Sequence, residues 1–248
     1  MNPTLEMLAA RCSTRAYSDT PITAAERDAI LSATFRAPTG GNMMLYSIIE
    51  VEDPELKARL AVTCDDQPFI ATAPWVLVFL ADFQKWTDLF DAAGVENRRT
   101  PGPGDLLLAC SDALIAAQNA VVAAESLGIG SCYIGDVLEN GEEHAALFDL
   151  PPHTLPIAML CFGRAASKRA PAPRYTKHVV HRDRYRQLSA EELAQTAREL
   201  QETHAPHGLA PGVASYPVSI HDRKYASDFM AEMNRSVAWW LERWQGRA

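Results

Sequence analysis

The segment from Gly104 to Leu127 limits most strongly what this chain can fold into. It contains seven alanines, at positions 109, 113, 116, 117, 120, 123 and 124. Because alanine favours the helix and lets neighbours approach, the segment predicts one long helix that is packed closely on most sides. We expect this helix to be the spine of the core and a candidate for a subunit interface. Polar residues at 112, 118, 119 and 125 interrupt the apolar run, so we do not expect it to span a membrane.

A second apolar run, Trp75–Ala81, follows Pro74 and predicts a central strand that is covered on both faces. Further strands are expected at 46–52, between Gly130 and Gly135, and at 155–162. Helices are expected at 3–11, 23–36, from 54 onward, and at 67–73, 137–148, 189–203 and 223–245. The second of these begins with a capping box formed by Thr23 and Glu26. Residues 84–104 are polar and end in Pro101-Gly102-Pro103-Gly104, so we expect an irregular segment that covers a site.

Composition and charge exclude several classes of function. The chain has 248 residues, 48% of them hydrophobic, and a net charge of −8, which argues against a general nucleic-acid or membrane-surface binder. Its five cysteines are scattered and its histidines lack metal spacing, so no disulfide framework or metal site is expected. The N-terminus lacks the pattern of a signal peptide, and we expect a cytoplasmic protein. We expect a single domain over 1–248, with 84–104 as a lid-like excursion and 187–248 as a C-terminal helical extension.

The familiar catalytic motifs are absent from the sequence. There is no G-x-S-x-G, G-x-x-x-x-G-K-[ST] or H-E-x-x-H pattern. Gly128-Ile129-Gly130 begins like a dinucleotide fingerprint, but the third glycine, Gly135, comes two positions late and a strand follows where a helix is required. Cys132 has no base nearby in sequence and is interpreted as a buried core residue. A chain without a protein nucleophile suits an enzyme whose cofactor carries the chemistry.

The Arg11–Arg15 stretch is the candidate anion site. If the backbone is extended here, Arg11, Ser13 and Arg15 point to the same side, because side chains alternate along a strand. Two guanidinium groups with a hydroxyl between them suit a phosphate, since each planar fork can bind two oxygens. Taken alone, the stretch fits two solvated surface arginines better than an anion site. The rest of the sequence favours the anion site.

Five motifs in the same order resemble the FMN-dependent nitroreductase family over roughly residues 5–186. They are Arg11-x-Ser13-x-Arg15; Ala37–Asn42; Gln67–Pro74; Leu127–Gly135; and Ala172-Pro173-Arg174, followed by Val179-Val180-His181 and Tyr185. The resemblance implies an α+β nitroreductase-like fold, in which helices wrap a small, mainly antiparallel sheet. It also implies an intertwined homodimer with two FMN sites at the interface.

The same resemblance implies a role for each motif residue. Arg11, Ser13 and Arg15 would hold the phosphate and ribityl region of FMN, with Arg174 closing on the phosphate. Asn42 and Gln67 would hydrogen-bond polar parts of the flavin. Pro38 and Thr39 would line the flavin ring from the partner chain. Tyr133, Ile134 and Gly135 would pack along the ring, and a backbone N–H of Gly135 or Asp136 would be directed at N5. No side chain is expected to be catalytic, because flavin N5 carries the chemistry.

Two positions depart from the family pattern. Met43-Met44 replaces an amide that commonly follows the loop asparagine, which makes that wall softer and more apolar. Ala172 stands where relatives often have lysine, so one phosphate cation is missing. Arg164, Lys168 and Arg169 are the candidates to compensate for it.

The resemblance implies an oxidoreductase that passes hydride from NADH or NADPH through FMN to a small electron-poor acceptor by a ping-pong mechanism. A nitroaromatic, a quinone or an activated alkene would each fit. Two alternatives remain open. One is a specialised flavin enzyme of the same fold, such as a dehalogenase, a flavin-fragmenting enzyme or a biosynthetic dehydrogenase. The other is a flavin-binding protein without catalysis. The sequence does not choose between NADH and NADPH.

Overall fold

The computed structural model describes residues 2–167 and 170–247. The chain divides into two compact units, Met1–Ala170 with Glu232–Ala248, and Pro171–Ala231. The first unit contains the sheet. In chain order its elements are α1 (Pro3–Ala10), α2 (Ala24–Thr34), β1 (Tyr46–Glu50), α3 (Pro54–Thr63), β2 (Trp75–Asp82), α4 (Gln84–Ala92), α5 (Pro103–Ser126), β3 (Gly130–Ile134), α6 (Gly141–Leu147) and β4 (Thr154–Gly163).

The second unit is helical where it is regular. It contains α7 (Ala190–His204) and α8 (Tyr216–Ile220), and the last helix, α9 (Asp228–Trp244), begins in it and ends in the first unit. The part of α9 in the first unit is well packed, because Trp240 and Trp244 are both buried and Trp240 donates its indole N–H to the Leu138 carbonyl.

The sheet has four antiparallel strands in the order β1-β2-β4-β3. Every residue of β2 is buried, which confirms the central strand predicted from its continuous apolar run. Alternate residues of β2 face opposite sides. Trp75, Leu77 and Phe79 belong to the same buried cluster as the α5 alanines, whereas Val76 and Val78 belong to the cluster that includes Trp240. Helices therefore cover both faces, and the α+β prediction is confirmed.

Helix α5 differs from its prediction on one side. Its alanines pack into the core as expected, and by length and composition alone it would be long enough and apolar enough to span a membrane. Its opposite face is exposed within this chain, however, and carries large apolar side chains: Leu107, Leu108, Leu114 and Ile115. The expectation that neighbours surround this helix on most sides is wrong for a single copy of the chain.

Three local predictions also differ from the structure, whereas the Thr23–Glu26 capping box is confirmed. Residues 67–73 form successive turns, with Ile70 N donating to Gln67 O and Ala73 N to Ile70 O, because Pro68 and Pro74 limit helical pairing. The first half of the 84–104 segment is the helix α4, in which Trp86 and Phe90 share one apolar face. The 137–148 helix is shorter and follows a separate turn, Asp136–Leu138.

Candidate functional site

The Arg11–Arg15 stretch is extended and lies beside β3. Ser13 forms a parallel bridge with Ser131, and Thr14 N donates to the Ser131 carbonyl at 2.9 Å. Thr14 is buried, and it lies so close to Gly130 that a Cβ added there would come within 2.8 Å of the Thr14 Cβ. The strand is thus held through its backbone and through Thr14. The side chains of Arg11, Ser13 and Arg15 remain available for a ligand on the other side. The anion-site prediction required an extended backbone here, and the structure has one.

The three side chains all influence the thiol of Cys132. Burial raises the pKa of the Cys132 thiol, while the charge of Arg15, hydrogen bonds from Ser13 and Arg15, and the charge of Arg11 oppose the rise. The thiol is buried and stays protonated at neutral pH, which fits the interpretation of Cys132 as a core residue. Within residues 2–167 and 170–247, neither Arg11 nor Arg15 has a carboxylate in ion-pair range.

A cavity of about 440 Å³ opens beside this stretch. Ser13, Arg15 and Gly130 line it, together with one acid, Glu125. Burial raises the pKa of Glu125, and the nearby charge of Arg11 opposes that rise. Among the described residues the region therefore contains more positive than negative side chains, a balance that suits a phosphate.

Further along β3, Gln67 and Asp136 mark the other end of the candidate site. The Gln67 amide donates to the Asp136 carboxylate at 3.0 Å and to the Cys64 carbonyl at 2.8 Å. Arg15 connects the two ends, since its guanidinium lies 5.7 Å from the centre of the Phe69 ring, two residues from Gln67. Gly135 is exposed between them, directly after the strand. Tyr133 is half-buried, and burial raises the pKa of its phenol to about 12.

Glu139, on the turn after Asp136, is a carboxyl group that titrates near neutral pH. It is 5% exposed, and burial together with the charges of Asp136, Asp65 and Glu232 raises its pKa to about 7. The sequence analysis did not select it, because its acidic neighbours come from three different parts of the chain.

The loop from Pro38 to Leu45 is the third part of the predicted site. It is held by one buried carboxylate on α5, that of Asp112, which accepts hydrogen bonds from the Thr39 hydroxyl, from Gly40 N at 3.1 Å and from Leu45 N at 3.1 Å. Asn42 is exposed and adopts a left-handed conformation, which asparagine tolerates. Sequence reasoning missed Asp112, although a lone acid on the inner side of an alanine-rich helix is a usable signal.

The described part of one chain does not join all the predicted residues. Ser13, Arg15, Gln67 and Asp136 lie along β3, whereas no hydrogen bond or ion pair connects the 38–45 loop to the Arg11–Arg15 stretch within residues 2–167 and 170–247. Arg174 is exposed in the second unit, and its part in the site stays a prediction.

Of the three residues that could replace the missing phosphate cation, the structure describes only Arg164. Arg164 pairs with Glu26 at 2.5 Å and donates to the Leu127 carbonyl at 3.0 Å, so its charge is already used within the fold. Lys168 and Arg169 lie outside the described residues. The structure therefore gives no support to Arg164 as the replacement.

Comparisons with known proteins point to one family. The family model described as the nitroreductase family matches residues 8–164. The chain is 34% identical over 209 residues to an oxygen-insensitive NADPH nitroreductase of Salmonella typhimurium strain LT2, covering 84% of this chain and 85% of that protein. It is 33% identical over 195 residues to an FMN reductase [NAD(P)H] of Bacillus subtilis strain 168, covering 78% of each. Its fold is similar to that of the NfrA1 nitroreductase of B. subtilis, with a TM-score of 0.84 and 26% identity over 96% of this chain and 98% of that one.

Proposed function

The chain belongs to the nitroreductase family, and on that basis we propose that it is an FMN-dependent oxidoreductase that takes hydride from NADH or NADPH. The observation that carries the proposal is the edge of β3, where Arg11 and Arg15 flank Ser13 and neither forms an ion pair with a described residue. The names of the similar proteins support the cofactor pair, since they are reductases of FMN and of nitro compounds that use NADPH or NAD(P)H.

The residues present fit a flavin mononucleotide along β3. Arg11, Ser13 and Arg15 would bind its phosphate and ribityl chain, because their side chains share one side of an extended segment. Gln67 would hydrogen-bond the polar edge of the ring, and its contact with Asp136 fixes where its amide lies. The other proposed contacts are Tyr133, Ile134 and Gly135 along the ring, a backbone N–H of Gly135 or Asp136 at N5, Arg174 at the phosphate, and Pro38, Thr39 and Asn42 from the partner's loop.

FMN, when bound, supplies the hydride chemistry, and the protein supplies binding, orientation and hydrogen bonds. For a quinone the balance is quinone plus NAD(P)H plus H⁺ giving hydroquinone and NAD(P)⁺. For a nitro compound it is R-NO₂ plus NAD(P)H plus H⁺ giving R-NO, NAD(P)⁺ and water. Hydride donor and acceptor would use the same face in turn, which requires ping-pong kinetics.

We also propose a cytoplasmic homodimer in which the exposed face of α5 is the contact. Leu107 is 70% exposed and Leu108 is 56% exposed, and Leu114 and Ile115 continue the same face of the helix. A two-chain site would need such a contact, since among the described residues no hydrogen bond or ion pair joins the 38–45 loop to the Arg11–Arg15 stretch. Light scattering should give the mass of a dimer, and replacing Leu114 and Ile115 by glutamate should give monomers that lose FMN.

The proposed function is tested by the colour of the protein. The purified protein should be yellow, with FMN released on denaturation, and NADH or NADPH should bleach it under anaerobic conditions. Steady-state rates with both nucleotides and a panel of nitro, quinone and enone acceptors would then define its preference. A protein that fails to take up FMN would overturn the proposal. A yellow protein that NAD(P)H does not bleach would instead be a flavin-binding protein, and one that bleaches but turns over none of the panel would be a specialised enzyme.

A further inference from the structure

Glu125 is the acid in the cavity beside the Arg11–Arg15 stretch. It lies on the last turn of α5 and lines this cavity of about 440 Å³ together with Arg15 and Gly130. It also lines a second cavity, of about 600 Å³, whose other walls come from α1 and α2. Glu125 therefore lies between two cavities of the first unit, one of which is the proposed phosphate site.

The carboxyl group of Glu125 lacks a direct partner in the part of the chain that the structure describes. Its Oε1 atom is buried and accepts no hydrogen bond there. The nearest charge that acts on it is that of Arg11, which lies outside ion-pair range and opposes the rise in pKa that burial causes. A buried carboxylate without hydrogen bonds is unfavourable, and binding a proton removes that cost.

The other ionisable groups near this carboxyl come from two sides. Arg11, Cys12 and Arg15 belong to the extended stretch beside β3. Arg164, after β4, reaches the end of α5, but it already pairs with Glu26. The residues that α1 and α2 contribute to the second cavity are uncharged: Pro3, Thr4, Met7 and Ala33. These surroundings offer cations to a phosphate, and they include no group that holds the carboxylate by direct contact.

A phosphate monoester in the cavity would favour the protonated form of Glu125. Such a phosphate carries a charge of about −1.5 to −2 at pH 7, so it would repel a carboxylate in the same cavity. A neutral carboxylic acid would instead donate its O–H to a phosphate oxygen, which is a strong, charge-assisted hydrogen bond. The phosphate therefore binds better to the acid than to the carboxylate.

We propose that Glu125 binds the FMN phosphate as a neutral acid, so that FMN uptake carries a proton onto this carboxyl group. The proposal rests on the proposed function, since it requires FMN in the cavity beside Arg15. The carboxylate takes one H⁺ from solvent and the resulting O–H donates to a phosphate oxygen, while no covalent bond of FMN changes. FMN affinity is then highest at a pH below the pKa of Glu125 in the flavin-free protein. It falls as the pH rises toward the higher pKa of Glu125 in the complex.

The test compares Glu125→Gln, whose neutral amide keeps the shape and a donor, with the control Glu52→Gln, at an exposed glutamate that lines neither cavity. FMN dissociation constants are measured by equilibrium dialysis of the holoproteins from about pH 6 to about pH 8.5. The constant of the unmodified protein divided by that of Glu125→Gln should rise about tenfold over this range, which corresponds to one pKa unit. The same ratio for Glu52→Gln should stay within about twofold of one. Riboflavin, which lacks the phosphate, should bind equally to all three proteins.

Proton uptake is measured directly by calorimetry. FMN is titrated into the flavin-free full chain at about pH 7.5 in two buffers that differ in ionisation enthalpy, and the difference in heat gives the protons bound per FMN. The unmodified protein and Glu52→Gln should take up more protons than Glu125→Gln. A pH-independent ratio of dissociation constants would overturn the proposal, as would equal proton uptake in all three proteins. Weaker FMN binding by Glu125→Gln at every pH would also overturn it, and would show a carboxylate that orients Arg11. Failure of the proposed function is distinct, because the unmodified protein would then take up no FMN at any pH.

Discussion

The Arg11–Arg15 stretch and the 38–45 loop both belong to the proposed flavin site, but they are held in place in different ways. The Arg11–Arg15 stretch is fixed by backbone pairing, through Thr14 N to Ser131 O and by Thr14 packing on Gly130. The 38–45 loop is fixed mainly by side chains, since Asp112 accepts from Thr39, Gly40 and Leu45 and Trp86 donates to the Met43 carbonyl. Backbone pairing leaves the side chains of a segment available for a ligand. A loop held by side chains instead depends on those residues, above all on Asp112, which accepts three of the hydrogen bonds.

The largest effect is expected for Asp112→Ala, which removes the support of the loop. Its donors lose their acceptor, and an unsatisfied buried donor costs about 1–3 kcal/mol, so we expect the free energy of unfolding to fall by about 3 kcal/mol. Urea unfolding measures this change. Ser111→Ala is the control, because Ser111 is the exposed neighbour that bonds only within its own helix. A loss below about 0.5 kcal/mol in Asp112→Ala would mean that the loop is held by other contacts.

Gly130→Ala tests how the Arg11–Arg15 stretch is held against β3. The new methyl group would lie 2.8 Å from the Thr14 Cβ and closer still to its hydroxyl, so the Arg11–Arg15 stretch must move away from β3. Overpacking of this kind costs about 1–3 kcal/mol. We expect lower stability together with weaker FMN retention, measured by thermal unfolding and by flavin absorbance after gel filtration. Gly104→Ala, where an added Cβ meets nothing within 4 Å, should show neither effect.

The different ways in which these two segments are held also show how much of the structure could be predicted from the sequence. The central strand β2 follows from its apolar run, because that signal is contained in a few consecutive residues. At 11–15 the sequence left the extended conformation as a condition, and the pairing of Ser13 with Ser131 meets it. The contacts of Asp112 cross 67 to 73 positions in the chain. No local pattern encodes such a pairing. The expected irregularity at 84–104 was wrong for residues 84–92, which form α4, and the Trp86 indole N–H of this helix also bonds to a residue distant in sequence, at the Met43 carbonyl.

Arg15→Ala should weaken FMN binding much more than it lowers the stability of the fold. Arg15 is exposed and has no ion pair with a residue of the described chain, but its guanidinium lies over the Phe69 ring, so the stability of the flavin-free protein should fall by no more than about 1 kcal/mol. A hydrogen bond to a charged group contributes about 1.5–3 kcal/mol, which corresponds to a rise in the FMN dissociation constant of at least about tenfold. Fluorescence titration with FMN measures it, with Arg36→Ala, an exposed arginine after α2, as the control. Lost turnover at full flavin occupancy would contradict the assignment to the phosphate.

Ser13→Ala should give the smallest effect and make the comparison sharper. Its hydroxyl lies between the two arginines and offers one neutral hydrogen bond, which contributes about 0.5–1.5 kcal/mol, or a few-fold in FMN affinity. The backbone bridge from Ser13 to Ser131 does not use the hydroxyl, so the variant should keep its stability. If Ser13→Ala lowered the unfolding free energy as much as Gly130→Ala does, side chains as well as backbone would hold this stretch. The two regions would then share one kind of support, and the availability of Arg11 and Arg15 for a phosphate would need another explanation.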